Sequence, residues 1–319
     1  RRPAARPRRR GGRRAARARR PGRDGARGTA GGHTMTTTRD QDHRHERPPS
    51  GPGLSPCTPD ACVRPPVAAA GPVRRAARLL GCALALAVAL TLSAAPARRA
   101  GALRARLARR AMGLIVRTLG ITVRVPGGVP VLDGHGTLLV SNHISWADPL
   151  IMAALTPARQ LAKRDIGRWP LVRSLAAAHR TLFIDKDRPA GLPAAITAVA
   201  AALRDGDAVL AYPEGTTWCG QAMGAFHPAL FQAAVEAGAT VRPVALRYRE
   251  AGMPSTRAAW IGADSLPLSL LRVVATRNLV AEVTFLPPVR PAPTGRPRAD
   301  RAALAALTES RVRDALGPA

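Results

Sequence analysis

Two short clusters hold the side chains best suited to chemistry. Ser141-Asn142-His143-Ile144-Ser145-Trp146-Ala147-Asp148-Pro149 stands where an apolar run, read as a strand, gives way to a helix opened by Pro. A His leaving a strand and an Asp at the following helix N-cap can fold back on one another across a tight turn. The carboxylate then holds one imidazole nitrogen and leaves the other as a general base for a hydroxyl. On these residues alone, a surface His beside an ordinary capping Asp reads equally well. The second cluster, Tyr212-Pro213-Glu214-Gly215-Thr216-Thr217, follows another apolar run. Pro fixes the exit of the chain, Gly lets backbone approach a ligand, and Glu with two Thr supplies polar groups at the carboxyl end of a sheet, where open α/β sheets bind ligands. In isolation it is also a plain capped loop.

The elements that would position these clusters alternate along the chain. Short apolar runs predict strands at Ile121–Val125, Thr137–Ser141, Arg159–Ala162, Thr181–Ile184, Ala208–Ala211, Val241–Tyr248 and Leu279–Phe285. Helices are expected near Pro149–Leu155, Trp169–Ala178, Pro189–Arg204, Pro228–Ala237, Pro267–Ala275 and Asp300–Leu316. The alternation predicts an α/β domain with a central, mostly buried sheet flanked by helices, and no repeat period is visible.

Taken together and in order, NHxSxxD at Asn142–Asp148 and PEGT at Pro213–Thr216 resemble the glycerolipid acyltransferase family, the 1-acyl-sn-glycerol-3-phosphate acyltransferases in particular. Thr181-Leu182-Phe183-Ile184-Asp185-Lys186 is similar to the family's F-I-D-R block, Val241-Arg242-Pro243-Val244 to its V-P-V block with Arg242 inserted, and Ala162-Lys163-Arg164 to its A-K segment. The resemblance covers residues 120–290, the expected catalytic domain. It implies transfer of a fatty acyl group from acyl-CoA or acyl-carrier protein to a lysolipid hydroxyl, most directly 1-acyl-sn-glycerol-3-phosphate. His143 is then the general base and Asp148 its orienting partner, with no covalent intermediate. Backbone N–H groups near Gly215 would face the oxyanion, and Glu214 would fix the acceptor or the loop. Asn142, Ser145, Thr216 and Thr217 complete the substrate-binding set. Neither cofactor nor metal is implied.

Where this chain departs from the family pattern, the acceptor is in question. The phosphate-acceptor enzymes follow PEGT with Arg, whereas here Thr217, Trp218 and Cys219 follow, so the usual bidentate phosphate clamp is missing and another lysolipid such as lyso-ornithine lipid also fits. Of 49 basic side chains only Lys163 and Lys186 are Lys, and both fall in predicted loops beside the family's blocks. They are expected to contact the acceptor head group or the phosphates of the donor. His135, His179 and His227 lack partners at chemical spacing and read as structural.

The rest of the chain frames this domain. The net charge of +29 is concentrated at the front, where residues 1–34 hold thirteen Arg against Asp24 alone. Met35 reads as a candidate start, and residues 1–73 read as a disordered basic leader rich in Pro, Gly and charge. From Leu79 to Ala95 seventeen residues carry no charge, about 25 Å of helix and marginal for crossing a bilayer. They read either as a cleaved signal with its exit near Ser93-Ala94-Ala95 or as a retained anchor. Gly101–Leu119 follows as a basic amphipathic helix, with Leu103, Leu107, Ala111, Leu114 and Ile115 on the apolar arc. Residues 74–119 are thus the expected membrane-associated segment and 291–319 a loop with a last helix. Four Arg before the apolar run and six after it place the catalytic bulk on the cytoplasmic side. The expected partners are membrane lipid, the lysolipid and the acyl donor. A Ser hydrolase lacks its G-x-S-x-G turn here, and a basic nucleic-acid or membrane binder would depend on the Arg tail. Cys57, Cys62, Cys82 and Cys219 suggest neither a disulfide framework nor paired zinc spacing.

Overall fold

Strand β2 (Thr137–Ser141) is buried along its whole length and lies near the middle of an eight-stranded sheet. The computed structural model describes residues 55–94, 101–132, 134–168, 170–185, 191–292 and 294–317. Around β2 run β1 (Ile121–Arg124), β3 (Arg159–Lys163), β4 (Leu182–Ile184), β5 (Ala208–Ala211), β6 (Thr240–Glu250), β7 (Met253–Pro254) and β8 (Leu279–Phe285), in the order β1-β8-β6-β2-β5-β3-β4 with β7 on β6. β6, β2, β5, β3 and β4 are mutually parallel; β8 returns antiparallel to β6 and pairs β1 in parallel. Parallel neighbours end on the same edge, so the turns after β2, β3 and β5 emerge side by side. That is how two clusters far apart in sequence become one site.

Period-two alternation sends side chains to two cores. Leu139, Leu210, Val244 and Leu246 join one apolar cluster; Leu138, Val140, Val209 and Val241 join the other. The first cluster is closed by α3 (Gly101–Thr118), α4 (Asp148–Leu155) and α8 (Leu266–Val274), the second by α6 (Leu192–Arg204), α7 (Phe231–Ala237) and α9 (Pro297–Leu316). α5 (Pro170–Ala178) precedes β4. The turn into β2 needs Gly136, at φ +71°, because a Cβ there would meet the carbonyl oxygen of Leu203 at 2.1 Å. All seven predicted strands and six predicted helices are present within a few residues of their expected bounds. The two-residue β7 had no signal, since a Met-Pro pair after a turn has neither length nor alternation.

The N-terminal region differs from expectation in two ways. Residues 55–71 do not form a loose leader: α1 (Pro59–Cys62) is capped by Thr58, and Cys57 and Ala70 are buried. Arg64 N–H donates to Thr256 Oγ1, Val67 N–H donates to Glu250 Oε1, and Ala69 bridges Thr276. Side chains and carbonyls of the β6–β8 region satisfy this segment's backbone, which lacks periodicity of its own. Residues 1–54, and with them the Met35 start and the Arg-rich tail, lie outside the described residues.

The amphipathic arc of α3 is also rotated. Its buried face is Ala111, Met112, Ile115 and Val116, continuing to Leu119, while Leu103 and Leu114 are exposed. Helix α2 (Pro72–Ala94) explains this by packing on α3, which itself lies on α4. The Arg78 guanidinium donates to the carbonyls of Val274 and Thr276 at 2.7 Å, Ala85 and Ala89 are buried in the first core, and Arg104 donates to the Ser93 carbonyl. α2 therefore lies along the domain for its whole length. Leu80, Leu84 and Val88, one turn apart, stand exposed.

Candidate active site

β2 ends at Ser141, and the chain turns sharply before α4. The turn is organised by the Asp148 carboxylate, which is fully buried. Its Oδ2 accepts from His143 Nδ1 at 2.8 Å, Ile144 N–H at 2.7 Å and Ser145 N–H at 2.8 Å; its Oδ1 accepts from the Tyr248 hydroxyl at 2.6 Å. Asp148 is the first residue of α4 and Ala147 stands at the N-cap, so the expected capping Asp instead closes the turn that precedes the helix. An ionised carboxylate only accepts, so Nδ1 carries a proton, and in the neutral imidazole the lone pair is then on Nε2. The His143 side chain is 19% exposed, which leaves that lone pair accessible to a substrate hydroxyl.

Tyr212, at the end of β5, lies against the His143 ring with centroids 4.1 Å apart and planes inclined 18°. The stack and the Asp148 bond fix the imidazole in two directions. Burial, and the negative charge of Asp148, hold the phenols of Tyr212 and Tyr248 well above the usual tyrosine range. Tyr248 therefore stays a donor to Asp148.

Behind the turn sits Glu214, buried, with Oε2 accepting from His143 N–H at 2.5 Å and Oε1 from Gly224 N–H at 2.8 Å. Burial pushes this carboxyl up to about 8 against the pull of those two N–H groups. Trp218 N–H donates to the His143 carbonyl at 2.8 Å and Trp260 N–H to that of Ile144 at 2.9 Å. The His143 backbone is thus tied to the β5 loop, and that of Ile144 to the loop between β7 and α8, an arrangement that holds the imidazole rigidly.

Comparison with known proteins shows the family and the fold. The acyltransferase family model matches residues 121–247. A lyso-ornithine lipid O-acyltransferase of Pseudomonas aeruginosa is 36% identical over 247 residues, covering 76% of this chain and 92% of that protein. The chain belongs to the lysolipid acyltransferase family. A 1-acyl-sn-glycerol-3-phosphate acyltransferase of Neisseria gonorrhoeae is 35% identical over 153 residues, 48% of this chain and 60% of that protein. The crystal structure of the 1-acyl-sn-glycerophosphate acyltransferase PlsC from Thermotoga maritima shares the fold, with a TM-score of 0.50 at 16% identity over 76% of this chain and 96% of that one.

Within this acyltransferase several of the other expected substrate contacts are engaged in hydrogen bonds of the fold itself. The Asn142 amide donates to the Leu246 carbonyl and accepts from the Leu246 N–H, both at 2.9 Å, which sews the end of β2 to β6. Ser145 Oγ accepts from Ala147 N–H. Glu214 holds the loop, each of its oxygens accepting a backbone N–H. Gly215, at φ +77°, donates its N–H to the Tyr212 carbonyl at 3.2 Å and so closes the turn after β5. The Thr217 hydroxyl donates to the Trp260 carbonyl, and Thr216 is half-buried beside it. Lys163, at the end of β3, pairs with Asp165 at 3.3 Å, and Lys186 lies outside the described residues. Sequence gives Tyr212 no role within its cluster and does not mark Tyr248 at all, because only the sheet order brings them to His143 and Asp148. A second surprise is the convergence of Cys57, Cys62 and Cys219, whose sulfurs lie within 4.8 Å of one another.

Proposed function

We propose that this acyltransferase moves a fatty acyl group from an acyl thioester, acyl-CoA or acyl-carrier protein, to the free hydroxyl of a lyso-aminolipid of the lyso-ornithine type. The observation that carries the chemistry is the His143–Asp148 pair, with Nδ1 held by a buried carboxylate and Nε2 left open. Nε2 takes the proton of the acceptor hydroxyl as its oxygen attacks the thioester carbonyl. The tetrahedral oxyanion then collapses, expelling the thiolate, which recovers the proton from the His143 imidazolium. Asp148 balances the positive charge while it exists. The proton, the acyl group and the thiolate are all accounted for without an acyl-enzyme.

The acceptor assignment is supported by Thr217, which stands where the family's phosphate clamp carries Arg and whose hydroxyl is turned to Trp260. Relatives named for lyso-ornithine lipid are also matched over more of their own length, 92% and 78%, than the Neisseria enzyme at 60%. The expected acceptor, 1-acyl-sn-glycerol-3-phosphate, is the second reading, favoured by the Neisseria relative and by Lys163 at the same sheet edge. We place α2 on the membrane through its exposed leucines, with the catalytic domain on the cytoplasmic side as the Arg bias suggests.

The test is acyl transfer by membranes containing the protein, with labelled acyl-CoA and acyl-carrier protein and a panel of lysolipids, beside His143→Ala. Label should pass to lyso-ornithine lipid and fall at least about 100-fold in the variant. Label in phosphatidic acid instead keeps the chemistry and selects the second acceptor. Transfer unaffected by His143→Ala defeats the mechanism.

A further inference from the structure

Outside the acyl-transfer machinery, the most unusual feature of the described residues is a cluster of thiols assembled from an N-terminal segment and the loop after β5. Cys57 and Cys62 lie on the N-terminal segment that docks onto the domain, Cys62 closing α1. Cys219 lies in the loop after the Pro213-Glu214-Gly215 turn. Cys57 and Cys219 are buried and Cys62 is half-buried, and all four cysteines of the chain, Cys82 included, are free thiols. A buried Cys is usually a small apolar side chain. Three that converge from segments with no other sequence relation ask for a reason, especially in a chain with so few.

We propose that Cys57, Cys62 and Cys219 form a binding site for a thiophilic metal ion of the zinc type. Thiolate sulfur is the ligand class that selects such ions over hard cations. The three sulfurs already lie within 4.8 Å of one another, and a tetrahedral ion with bonds of about 2.3 Å holds its thiolates about 3.8 Å apart, so the triangle closes with a contraction of no more than about 1 Å. Three thiolates leave the fourth position of a tetrahedral ion for water or an exogenous ligand. A disulfide is the poorer account of the same geometry, since it pairs two thiols and leaves the third stranded beside them.

The position gives the site a consequence. Cys219 follows Trp218, whose N–H holds the His143 carbonyl, and the Cys57 carbonyl lies under Gly262, where a Cβ would approach it to 3.1 Å. An ion here ties the N-terminal segment, the loop after β5 and, through Trp218, the turn that holds the general base. It is a clamp on the site's backbone and takes no part in acyl transfer.

The experiment uses the full chain, purified in detergent under reducing, metal-free conditions and titrated with Co2+ as a spectroscopic stand-in for Zn2+. A thiolate-to-cobalt charge-transfer band should saturate at one equivalent and vanish on adding Zn2+. Zn2+ should also raise the unfolding temperature. Cys219→Ser and Cys62→Ser should lose both the band and the stabilisation, while Cys82→Ser keeps them. Cys62→Ser guards against misfolding, because that side chain is only half-buried. No band in the wild-type chain overturns the proposal, as does a band that survives in Cys219→Ser. A Cys57–Cys219 disulfide in the native protein, found by peptide mass mapping without reductant, overturns it too.

Discussion

The Glu214 carboxyl is buried directly behind the His143 turn, and its protonation couples the site to pH. Its folded pKa is raised from 4.5 to about 8, chiefly by burial. Between those values the folded chain keeps a proton that the unfolded chain has released. The stabilisation from this group is thus fully present below about pH 4.5 and is lost as pH rises through about 8. Glu214→Gln should lower stability at about pH 5, since one of two buried N–H donors then faces an amide NH2, at about 1–3 kcal/mol. It should also flatten the decline between about pH 5 and about pH 8, read from denaturant midpoints at both values. An undiminished decline in the variant would assign the titration to another group. The sequence shows this residue and the His143–Asp148 pair plainly, because both lie in short local patterns. Tyr248 is invisible there: its hydroxyl reaches Asp148 only because β6 lies beside β2.

At the scale of elements, α3 separates local pattern from tertiary packing. An arc drawn from sequence puts Leu103, Leu114 and Ile115 on the same apolar face, whereas the fold buries Ile115 to 4% exposure and leaves Leu103 at 57%. Ile115→Ala should therefore cost about 2–5 kcal/mol through the cavity it opens between α3 and the sheet. Leu103→Ala should shift the unfolding midpoint little, and equal losses at the two positions would restore the arc expected from sequence. The strands were legible because each is a short apolar run between turn residues, and a parallel sheet buried on both faces demands such runs. The docking of 55–71 was not legible. Its partners Thr256, Glu250 and Thr276 are remote in sequence, and a segment that borrows its hydrogen bonds carries no periodic signal of its own.

For the whole molecule, charge and apolar surface suggest different ways of holding a membrane. A net charge of +29 favours anionic lipid through electrostatics, yet much of it lies in the first 34 residues, outside the domain that carries the site. The apolar surface is built into the domain instead: Pro72–Ser93 is long and apolar enough to cross a bilayer, and only 11% of its most apolar window is buried. Because α2 is held to the domain along its length by Arg78, Ala85, Ala89 and Ser93, it fits a helix lying in one leaflet better than a free-standing span. Such a contact is indifferent to salt. At about 1 M salt the Debye length falls to about 3 Å, which suppresses attraction between Arg and headgroups while leaving apolar burial intact. The full chain should then stay with vesicles of neutral phosphatidylcholine at high salt. Replacing Leu80, Leu84 and Val88 together by Ser should weaken partition roughly a thousand-fold, at roughly 1.5 kcal/mol or more for each side chain. Flotation of both proteins at low and high salt reads the difference. If salt releases the wild-type chain and the Ser variant partitions equally well, the Arg-rich surface holds the membrane and α2 is an ordinary outer helix of the fold.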